Sequence, residues 1–288
     1  MGSERMKQKQ QILPLLPAVY GAQLEQTDWA KLEELRLGTG RPMVLRSLGR
    51  EQILRPLCQP QQLEEVLRRA CRQSVYAYND TVRQGYLTVP GGHRIGICGS
   101  GVAQQGGLQT IRAPSSLVIR VAHEVQGCAD RLLPQLTEST LILGAPGSGK
   151  TTLLRDAVRQ LSDKGRQWIG LADERGEVSA MSDGLPQLQI GGRTDVLVQV
   201  EKAEAVMMLL RTMSPQWIAM DEITAPGDLE ALERAAYCGI RLLATAHGDS
   251  LQDLQRRPLY RKLLQTGVFR RAVLLRSDKT YTIEEVLP

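Results

Sequence analysis

Residues 144–151 read GAPGSGKT and match the pattern GxxxxGK[ST]. An apolar run at 141–143 precedes them, and a pattern typical of a helix follows from residue 151 to residue 161. In a strand–loop–helix unit of this kind the glycines allow backbone N–H groups to wrap a phosphate chain, and the helix adds the positive end of its dipole. The stretch therefore predicts a phosphate-binding loop at the end of a buried strand.

Two side chains of this loop suit a nucleoside triphosphate. Lys150 is expected to reach the β- and γ-phosphate oxygens. The Thr151 hydroxyl is expected to bind Mg²⁺. The loop thus predicts both a nucleotide and a metal ion as ligands.

A second element of such a site lies at 217–222, which read WIAMDE. This is an apolar strand that delivers two acids at its end. Asp221 is expected to hold Mg²⁺ through water, and Glu222 to orient or deprotonate the attacking water. An apolar run that ends in Asp-Glu is a weak pattern by itself, but it gains weight downstream of a phosphate loop.

Two further strand ends are expected at the same edge of the sheet, where ligands bind in open α/β folds. DERGE at 173–177 makes Glu174 the rival of Glu222 for the catalytic carboxylate. TAHG at 245–248 places His247 where it can sense the γ-phosphate. The alternatives are structural: a solvated loop at 173–177 and a hydrogen-bonded loop histidine at 247.

From residue 139 onward apolar strands alternate with helical patterns, which predicts an α/β domain whose parallel sheet is covered on both faces. Strands are expected at 168–172, 217–220, 241–246, 273–276 and 281–283. Helices are expected at 203–213 and 228–238. Asp228 is the predicted N-cap of the second helix, and Gly239 lies just beyond its end.

The first half has the shorter, mixed elements of a small α+β domain. The pattern predicts a helix at 28–37, strands at 43–48 and 52–57, a helix that begins near Pro60, a hairpin over 86–98, a flexible loop at 99–107 and a strand at 116–122. The predicted organisation is a partly ordered N-terminal tail (1–27), the small α+β domain (28–124), a linker or helix (125–138) and the P-loop domain (139–288).

The composition limits the functional classes. The chain has 288 residues, a net charge of +5 and only 4% aromatic residues, so a stacking platform for single-stranded nucleic acid is poorly supplied. No apolar run reaches the roughly 18 residues of a membrane span, and the first ten residues lack the apolar segment of a signal peptide. These features predict a cytosolic protein.

Several longer stretches carry a resemblance to a known family. They are DERGE at 173–177, GGRTDV at 191–196, MMLLRTMSPQWIAMDEI at 207–223, LLATAHG at 242–248, GGHRIGICG at 91–99 and LQTIRAPSSLVIRVAHEVQGCADRLLP at 108–134. Together with the phosphate loop they resemble the stage III sporulation protein AA family, an ATPase family similar to the hexameric motors of type II and type IV secretion. The likeness covers roughly residues 30–288.

The resemblance implies a RecA-like domain that uses ATP and Mg²⁺. By position it makes Asp173 and Glu174 the acidic box, Asp221 and Glu222 the Mg²⁺ and water-activating pair, and His247 the histidine-box residue. Secretion motors often have Gly in place of the strand-end Asp, and this chain has Asp221, which leaves the division of work between Glu174 and Glu222 open. The nucleotide-binding residues so implied are Gly144, Ala145, Pro146, Gly147, Ser148, Gly149, Lys150, Thr151 and Thr152.

The resemblance also implies partners. The chain would form a homo-oligomeric ring, expected to be a hexamer, in which a neighbouring subunit completes the site with an arginine. Arg94, Arg112 and Arg120 are the candidates. Hydrolysis would energise a membrane-embedded export apparatus during bacterial sporulation, with the protein held at the membrane on the mother-cell side by partner proteins. No nucleic acid is expected.

Two other functions stay open at the level of sequence. A nucleic-acid motor or loader would combine the same P-loop core with the basic segment 254–277. A nucleotide-gated assembly scaffold would bind ATP with little turnover.

Overall fold

The computed structural model describes residues 2–71, 85–104, 107–182 and 184–286. The chain divides into two compact units. The first contains residues 1–123 and 180–187, and the second contains residues 124–179 and 188–288. The segment 180–187, which the sequence pattern places in the second half, therefore belongs to the first unit.

The first unit contains, within the described ranges, a six-stranded antiparallel sheet with the strand order β3-β2-β1-β6-β5-β4. Its strands are β1 (Leu32–Gly38), β2 (Pro42–Ser47), β3 (Arg50–Leu57), β4 (Tyr86–Val89), β5 (His93–Gln104) and β6 (Gly107–Arg120). A short ribbon of β9 (Met181–Ser182) and β10 (Leu185–Pro186) belongs to the same unit. The predicted hairpin over 86–98 is confirmed as β4 and the start of β5.

The described part of this unit also contains helices α1 (Gly2–Ile12), α2 (Gly21–Glu25) and α3 (Pro60–Ala70), with two short 3-10 helices at Leu13–Leu15 and Ala18–Tyr20. The predicted helix near Pro60 is confirmed as α3, which packs against β6 and buries Leu63, Val66 and Leu67. Ile12 and Tyr20, which fall in the predicted tail, are fully buried in the same core. Residues before 28 therefore supply part of the apolar interior that stabilises the unit.

The predicted helix at 28–37 is wrong. Residues Leu32–Gly38 form β1, which pairs with β2 on one side and β6 on the other. Leu and Glu are good helix formers, but the preference is small per residue, and two rows of backbone hydrogen bonds outweigh it. A register shift between Leu32 and Glu34 obscures the simple alternation expected of a strand.

The predicted loop at 99–107 is also wrong for its described residues. Strand β5 continues to Gln104, while residues 105 and 106 lie outside the described ranges. Glycine is needed at 99 for close packing, because a Cβ atom there would lie 2.7 Å from Ile111 Cγ2 and 2.8 Å from the Ala113 carbonyl oxygen. Glycines in this segment indicate an irregular strand pair with three register shifts rather than a flexible loop.

The second unit contains, among the described residues, a seven-stranded sheet with the strand order β11-β8-β12-β13-β7-β14-β15. Its strands are β7 (Thr140–Gly144), β8 (Ile169–Asp173), β11 (Thr194–Val198), β12 (Trp217–Met220), β13 (Arg241–His247), β14 (Arg271–Leu275) and β15 (Tyr281–Glu285). The first six strands in this order are parallel, and β15 is antiparallel to β14. The sheet is therefore mixed, and β11 has no counterpart among the predicted strands.

Helices lie on both faces of this sheet, as expected for an α/β fold. They are α4 (Lys150–Asp163), α5 (Lys202–Thr212), α6 (Pro226–Tyr237), α7 (Leu251–Arg256) and α8 (Pro258–Gln265). Because neighbouring strand residues face opposite sides, Leu141 and Leu143 join one core with α5, α6, α7 and α8, whereas Ile142 joins the other core with α4. Among the described helices, none has the length and apolar character required to cross a bilayer.

The start of α6 differs from its prediction. Asp228 is the third residue of the helix and not its N-cap, since Pro226 opens the helix and Ala225 precedes it. The Asp228 carboxylate reaches back to accept hydrogen bonds from the Thr224 N–H at 2.9 Å and the Ala225 N–H at 3.0 Å. Gly239 follows the helix with φ 79°, as predicted for the residue beyond its end.

Parallel pairing brings four strand ends to one edge of the sheet. His247 at the end of β13 is paired with Gly144 at the end of β7. Met220 at the end of β12 is paired with Ala172 of β8. The loops after these strands therefore carry the predicted site residues to the same edge, as ligand sites in open α/β sheets require.

Candidate functional site

The backbone of the loop after β7 is shaped by its glycines. Gly147 and Gly149 have φ angles of 75° and 102°, in the left-handed region that residues with a side chain rarely adopt. A Cβ atom on Gly144 would lie 2.5 Å from Ser148 Oγ and 2.8 Å from the Leu275 carbonyl oxygen. The loop therefore forms a tight turn, in which residues other than glycine at 144, 147 and 149 would be strained.

This loop also presents polar groups that the protein does not satisfy. Ser148 is buried, and its Oγ has no hydrogen-bond partner within the described residues. Helix α4 begins at Lys150 without a side-chain N-cap. Buried polar groups normally find partners, and helix N-termini attract anions. The residues present therefore fit a bound phosphate group.

Lys150 is buried beneath the loop, with 7% of its surface exposed. Its Nζ donates hydrogen bonds to the carbonyl oxygens of Gly144 at 2.9 Å and Ala145 at 3.0 Å, and it lies 2.9 Å from His247 Nδ1. Burial lowers the pKa of the Lys150 ammonium, and two nearby carboxylates partly oppose that effect. An ammonium only donates, so His247 Nδ1 is the acceptor in this contact.

Thr151 and Asp221, the predicted metal residues, are in direct contact. Thr151 Oγ1 donates to Asp221 Oδ2 at 2.9 Å, and Thr245 Oγ1 donates to Asp221 Oδ1 at 2.7 Å. Burial raises the pKa of Asp221, while these two hydroxyl groups act in the opposite direction. Hydroxyl and carboxylate oxygens are the ligands that Mg²⁺ prefers, so this pair fits the predicted ion.

Glu222 follows β12 in a left-handed conformation with φ 57°. This conformation costs about 1–2 kcal/mol for a residue with a Cβ atom. The Glu222 N–H donates to Thr245 Oγ1 at 2.8 Å, and Oε1 lies 3.0 Å from His247 Nε2. Because Nδ1 of His247 accepts from Lys150, we assign the ring hydrogen to Nε2, from which it is donated to Glu222.

In the acidic segment after β8, Asp173 has a structural role. Asp173 is buried, and its Oδ1 accepts from the N–H groups of Glu177 at 2.8 Å and Val178 at 3.1 Å. Its Oδ2 accepts from the Ser179 N–H at 2.8 Å and the Ser179 hydroxyl at 2.6 Å. The carboxylate of Asp173 therefore closes the loop 173–179.

Glu174, the other member of the predicted acidic box, is exposed and lies beside an acidic cleft. This cleft has a volume of about 330 Å³ including its open mouth. Its lining residues are Asp173, Glu174, Arg175, Glu177, Lys202, Asp221, Glu222 and Thr224. Both candidate catalytic carboxylates, Glu174 and Glu222, thus border one cleft.

The structure brings some of the predicted residues together and separates others. Hydrogen bonds connect Lys150, His247 and Glu222, and another connects Thr151 with Asp221. Thr245 joins the two sets, because its hydroxyl bonds both Asp221 and the Glu222 N–H. Thr152 lies in the first turn of α4, where its carbonyl oxygen accepts from Cys128 Sγ at 3.8 Å. The three candidate arginines, Arg94, Arg112 and Arg120, lie on β5 and β6 of the first unit.

Three residues near this site were not assigned roles from the motifs. Thr245 belongs to the TAHG segment, but its bonds to Asp221 and Glu222 depend on the pairing of β12 with β13. Lys279, in the turn between β14 and β15, donates to the Gly147 carbonyl oxygen at 2.8 Å. Lys202 opens α5, where a cation opposes the helix dipole. A lysine in this unfavourable position indicates, from the sequence alone, that its side chain has a partner outside the helix.

Two solved structures have a fold similar to that of this chain. The pilus retraction motor PilT, solved with bound ADP, has a TM-score of 0.62 and 15% identity, over 89% of this chain and 76% of that chain. The Legionella pneumophila ATPase DotB has a TM-score of 0.57 and 15% identity, over 93% of this chain and 79% of that chain. These likenesses place the chain among proteins with the fold of secretion-type P-loop ATPases.

Sequence relatives are closer. The chain is 36% identical over 267 residues to Stage III sporulation protein AA of Bacillus subtilis (strain 168). This alignment covers 90% of this chain and 87% of that protein. It is also 31% identical over 147 residues to Protein SEEDLING PLASTID DEVELOPMENT 1 of Arabidopsis thaliana, in an alignment that covers 49% of this chain and 21% of that protein. The model of the family described as "Sporulation stage III, protein AA" matches residues 6–285. The resemblance seen in the motifs is therefore confirmed, and the chain belongs to the Sporulation stage III, protein AA family.

Proposed function

We propose that this protein is an Mg²⁺-dependent ATPase that hydrolyses ATP to ADP and phosphate. The observation that carries this proposal is the connected set of side chains at one sheet edge. Hydrogen bonds lead from Lys150 through His247 to Glu222, beside the contact between Thr151 and Asp221. A phosphate-binding lysine, a metal pair and a carboxylate base are the parts that phosphoryl transfer to water requires.

The loop after β7 supplies nucleotide binding. Its N–H groups, the Ser148 hydroxyl and the Lys150 ammonium donate to phosphate oxygens. Thr151 and Asp221 would hold Mg²⁺, which when bound neutralises phosphate charge and fixes its orientation. The Nζ of Lys150 already lies at the end of β7, bonded to the carbonyl oxygens of Gly144 and Ala145, so the cation needs only an exchange of its hydrogen-bond acceptors to meet a phosphate.

Glu222 acts as the general base. It accepts a proton from the attacking water while that oxygen bonds to the terminal phosphorus and the phosphorus–oxygen bond to ADP breaks. A general base of this kind contributes about 10²–10⁴-fold in rate. We favour Glu222 over Glu174 because Glu222 directly follows Asp221 and is held by His247 Nε2 at 3.0 Å.

The basic segment 254–277 supports the ATPase proposal over a nucleic-acid motor. Arg257 donates to the His247 carbonyl oxygen at 2.9 Å and to Asp253 at 2.7 Å. Arg261 donates to the Gln255 carbonyl oxygen, and Arg271 to that of Gln135. These guanidinium groups serve the fold itself, so the segment is poorly suited to act as a track for phosphates.

We further propose that the second unit is a RecA-like motor domain and that the chain works as a ring, expected to be a hexamer. Strand β13 lies between β7, which precedes the phosphate loop, and β12, which precedes Asp221. This strand order supports the RecA-like assignment. In such a ring Arg94, Arg112 or Arg120 of a neighbour would stabilise the charge that develops on the phosphate. The motor would energise a membrane-embedded export apparatus in sporulation, from the mother-cell cytoplasm and through partner proteins.

The variant Lys150→Ala tests the ATPase proposal. Removing this donor should lower ATP turnover by at least about 100-fold, because the phosphate loses its buried cation. The measurement is phosphate release at saturating Mg·ATP, with circular dichroism to verify folding. The matched control is Lys164→Ala, which removes an exposed lysine paired with Asp130 and should keep the wild-type rate. Wild-type turnover by folded Lys150→Ala would refute the proposal.

A further inference from the structure

A buried lysine outside the proposed mechanism holds the loop that carries Glu222. Lys202 is only 8% exposed. Its Nζ donates to the Glu222 carbonyl oxygen at 2.5 Å and the Thr224 hydroxyl at 2.8 Å, and it lies 3.4 Å from Asp228 Oδ2. The ammonium therefore donates two hydrogen bonds to the segment 222–224 and forms an ion pair with the Asp228 carboxylate.

The peptide groups around Glu222 are fixed by two other elements as well. The Glu222 N–H donates to Thr245 Oγ1 at 2.8 Å, and the Ile223 N–H donates to the Thr245 carbonyl oxygen at 2.9 Å. The Ile223 carbonyl oxygen accepts from the Tyr260 hydroxyl at 2.8 Å. Strands and helices on three sides, β13, α8 and α5, thus hold this short segment.

The contact from Lys202 matters most for the conformation of Glu222. A left-handed φ of 57° persists only where the surrounding structure imposes it. Thr245 holds the N–H side of Glu222, and Lys202 holds its carbonyl side. The peptide that follows Glu222 is held at its carbonyl oxygen by Lys202 and at the Ile223 N–H by the Thr245 carbonyl oxygen. Without Lys202 only the second of these bonds remains, so the backbone conformation of Glu222 is less tightly fixed.

The anchor of Lys202 is itself rigid. Asp228 is 1% exposed, and its Oδ2 also accepts from the N–H groups of Thr224 and Ala225. The ammonium of Lys202 therefore ties the start of α5 to the start of α6 across the loop 222–225.

We propose that Lys202 is a positioning residue for ATP hydrolysis, which holds the Glu222 backbone carbonyl and thereby directs the Glu222 carboxylate toward the attacking water. The inference rests on the proposed ATPase function with Glu222 as base. In the described structure Lys202 donates hydrogen bonds to the loop 222–224 and pairs with Asp228, and none of these contacts is with the phosphate loop. Its loss should therefore affect the rate of hydrolysis rather than ATP affinity.

The variant Lys202→Met tests this inference, since methionine has a similar length and no donors. We expect kcat to fall at least tenfold while ATP affinity, measured with a fluorescent ATP analogue, stays within twofold of wild type. The matched control, Lys164→Met, replaces the exposed lysine that directly follows α4 and should change neither quantity. A kcat for Lys202→Met within twofold of wild type would overturn the inference.

A double variant tests whether Lys202 acts through Glu222. If it does, adding Lys202→Met to Glu222→Gln causes no further loss of kcat, because the carboxylate to be directed is already absent. Independent losses that multiply in the double variant would show that Lys202 acts by another route. Where Lys202→Met does not fold, Lys202→Arg replaces it in both tests, since a planar guanidinium keeps the charge facing Asp228 but not the geometry of the ammonium.

Amide hydrogen exchange separates this inference from the ATPase proposal. The N–H groups of Glu222 and Ile223 should exchange at least tenfold faster in Lys202→Met than in wild type, whether or not the protein hydrolyses ATP. Unchanged exchange at both residues would overturn the positioning role. An inactive wild-type protein with accelerated exchange in the variant would instead refute only the proposed function.

Discussion

Glu222, the proposed base, is a strained residue held by its neighbours. Its left-handed backbone costs about 1–2 kcal/mol, and three hydrogen-bonded neighbours, Thr245, Lys202 and His247, hold it in place. Strain of this kind persists where the surrounding structure imposes it, and it is common at active sites. Under the proposed function, this loss of stability is offset by the fixed direction of the Glu222 carboxylate.

The candidate site residues that belong to a motif follow from the sequence, whereas the residues that contact them do not. Glycine spacing indicates Lys150 and Thr151 because the phosphate loop is a contiguous strand–loop–helix unit. The contacts of Thr245 and Lys202 with Glu222 join residues far apart in sequence, so they follow from strand pairing and helix packing. The burial of Asp173 in its own loop is likewise a tertiary property.

A histidine in the first unit makes a prediction about pH. His93 is buried, its Nδ1 accepts from the Ala122 N–H at 3.0 Å, and Nε2 lies 3.2 Å from Gln11 Oε1. Burial, with smaller effects of His123 and Lys7, lowers the pKa of His93 from 6.5 to about 4. The folded state therefore binds this proton less readily than the unfolded state does. His93 contributes full stability above pH 6.5 and loses up to about 3 kcal/mol as the pH falls toward 4.

Replacing His93 with Asn should remove this contribution to the pH dependence. Between pH 7 and pH 4.5, we expect the wild type to lose about 2–3 kcal/mol more of its free energy of unfolding than His93→Asn loses. Urea unfolding followed by circular dichroism at the two pH values measures it. A difference that stays constant over this range would show that His93 does not titrate as proposed.

At the scale of elements, continuous apolar strands were easier to predict than strands with irregular pairing. The strands β7, β12 and β13 are buried along nearly their whole length, so their sequences contain unbroken apolar runs. β1 alternates irregularly because of its register shift, and its sequence favoured a helix. Strand β11 is half-buried throughout and presents neither a continuous run nor a clear alternation.

The start of α6 provides a stability prediction. Asp228 caps the N–H groups of Thr224 and Ala225 and pairs with buried Lys202. Asp228→Ala should lower the free energy of unfolding by about 3 kcal/mol, because it leaves a buried cation without its partner and the N–H groups without their acceptor. The control Glu230→Ala changes an exposed acid on the same helix and should cost less than about 0.5 kcal/mol.

Urea unfolding of both α6 variants measures the difference. Losses of equal size in Asp228→Ala and Glu230→Ala would mean that Asp228 contributes no more than a surface charge. A larger loss for Asp228→Ala would instead assign the stabilisation to its buried contacts.

At the scale of the whole molecule, the family match spans both units, since it covers residues 6–285. The proposed ring makes a direct prediction for particle mass. With a non-hydrolysable ATP analogue and Mg²⁺, native mass spectrometry or light scattering should detect particles of six times the 31.9 kDa chain mass. Lys150→Ala should not assemble under the same conditions. A wild-type protein that stays monomeric at saturating analogue would contradict the ring.

The central claim is that this protein hydrolyses ATP with Glu222 as the base. Its most direct test is phosphate release at saturating Mg·ATP by Glu222→Gln and Glu174→Gln, two variants that each remove one carboxylate of the same cleft. We predict that Glu222→Gln retains ATP affinity and loses at least about 100-fold in turnover, whereas Glu174→Gln stays close to the wild-type rate. Turnover that survives in Glu222→Gln and disappears in Glu174→Gln would contradict the claim and assign the base to Glu174.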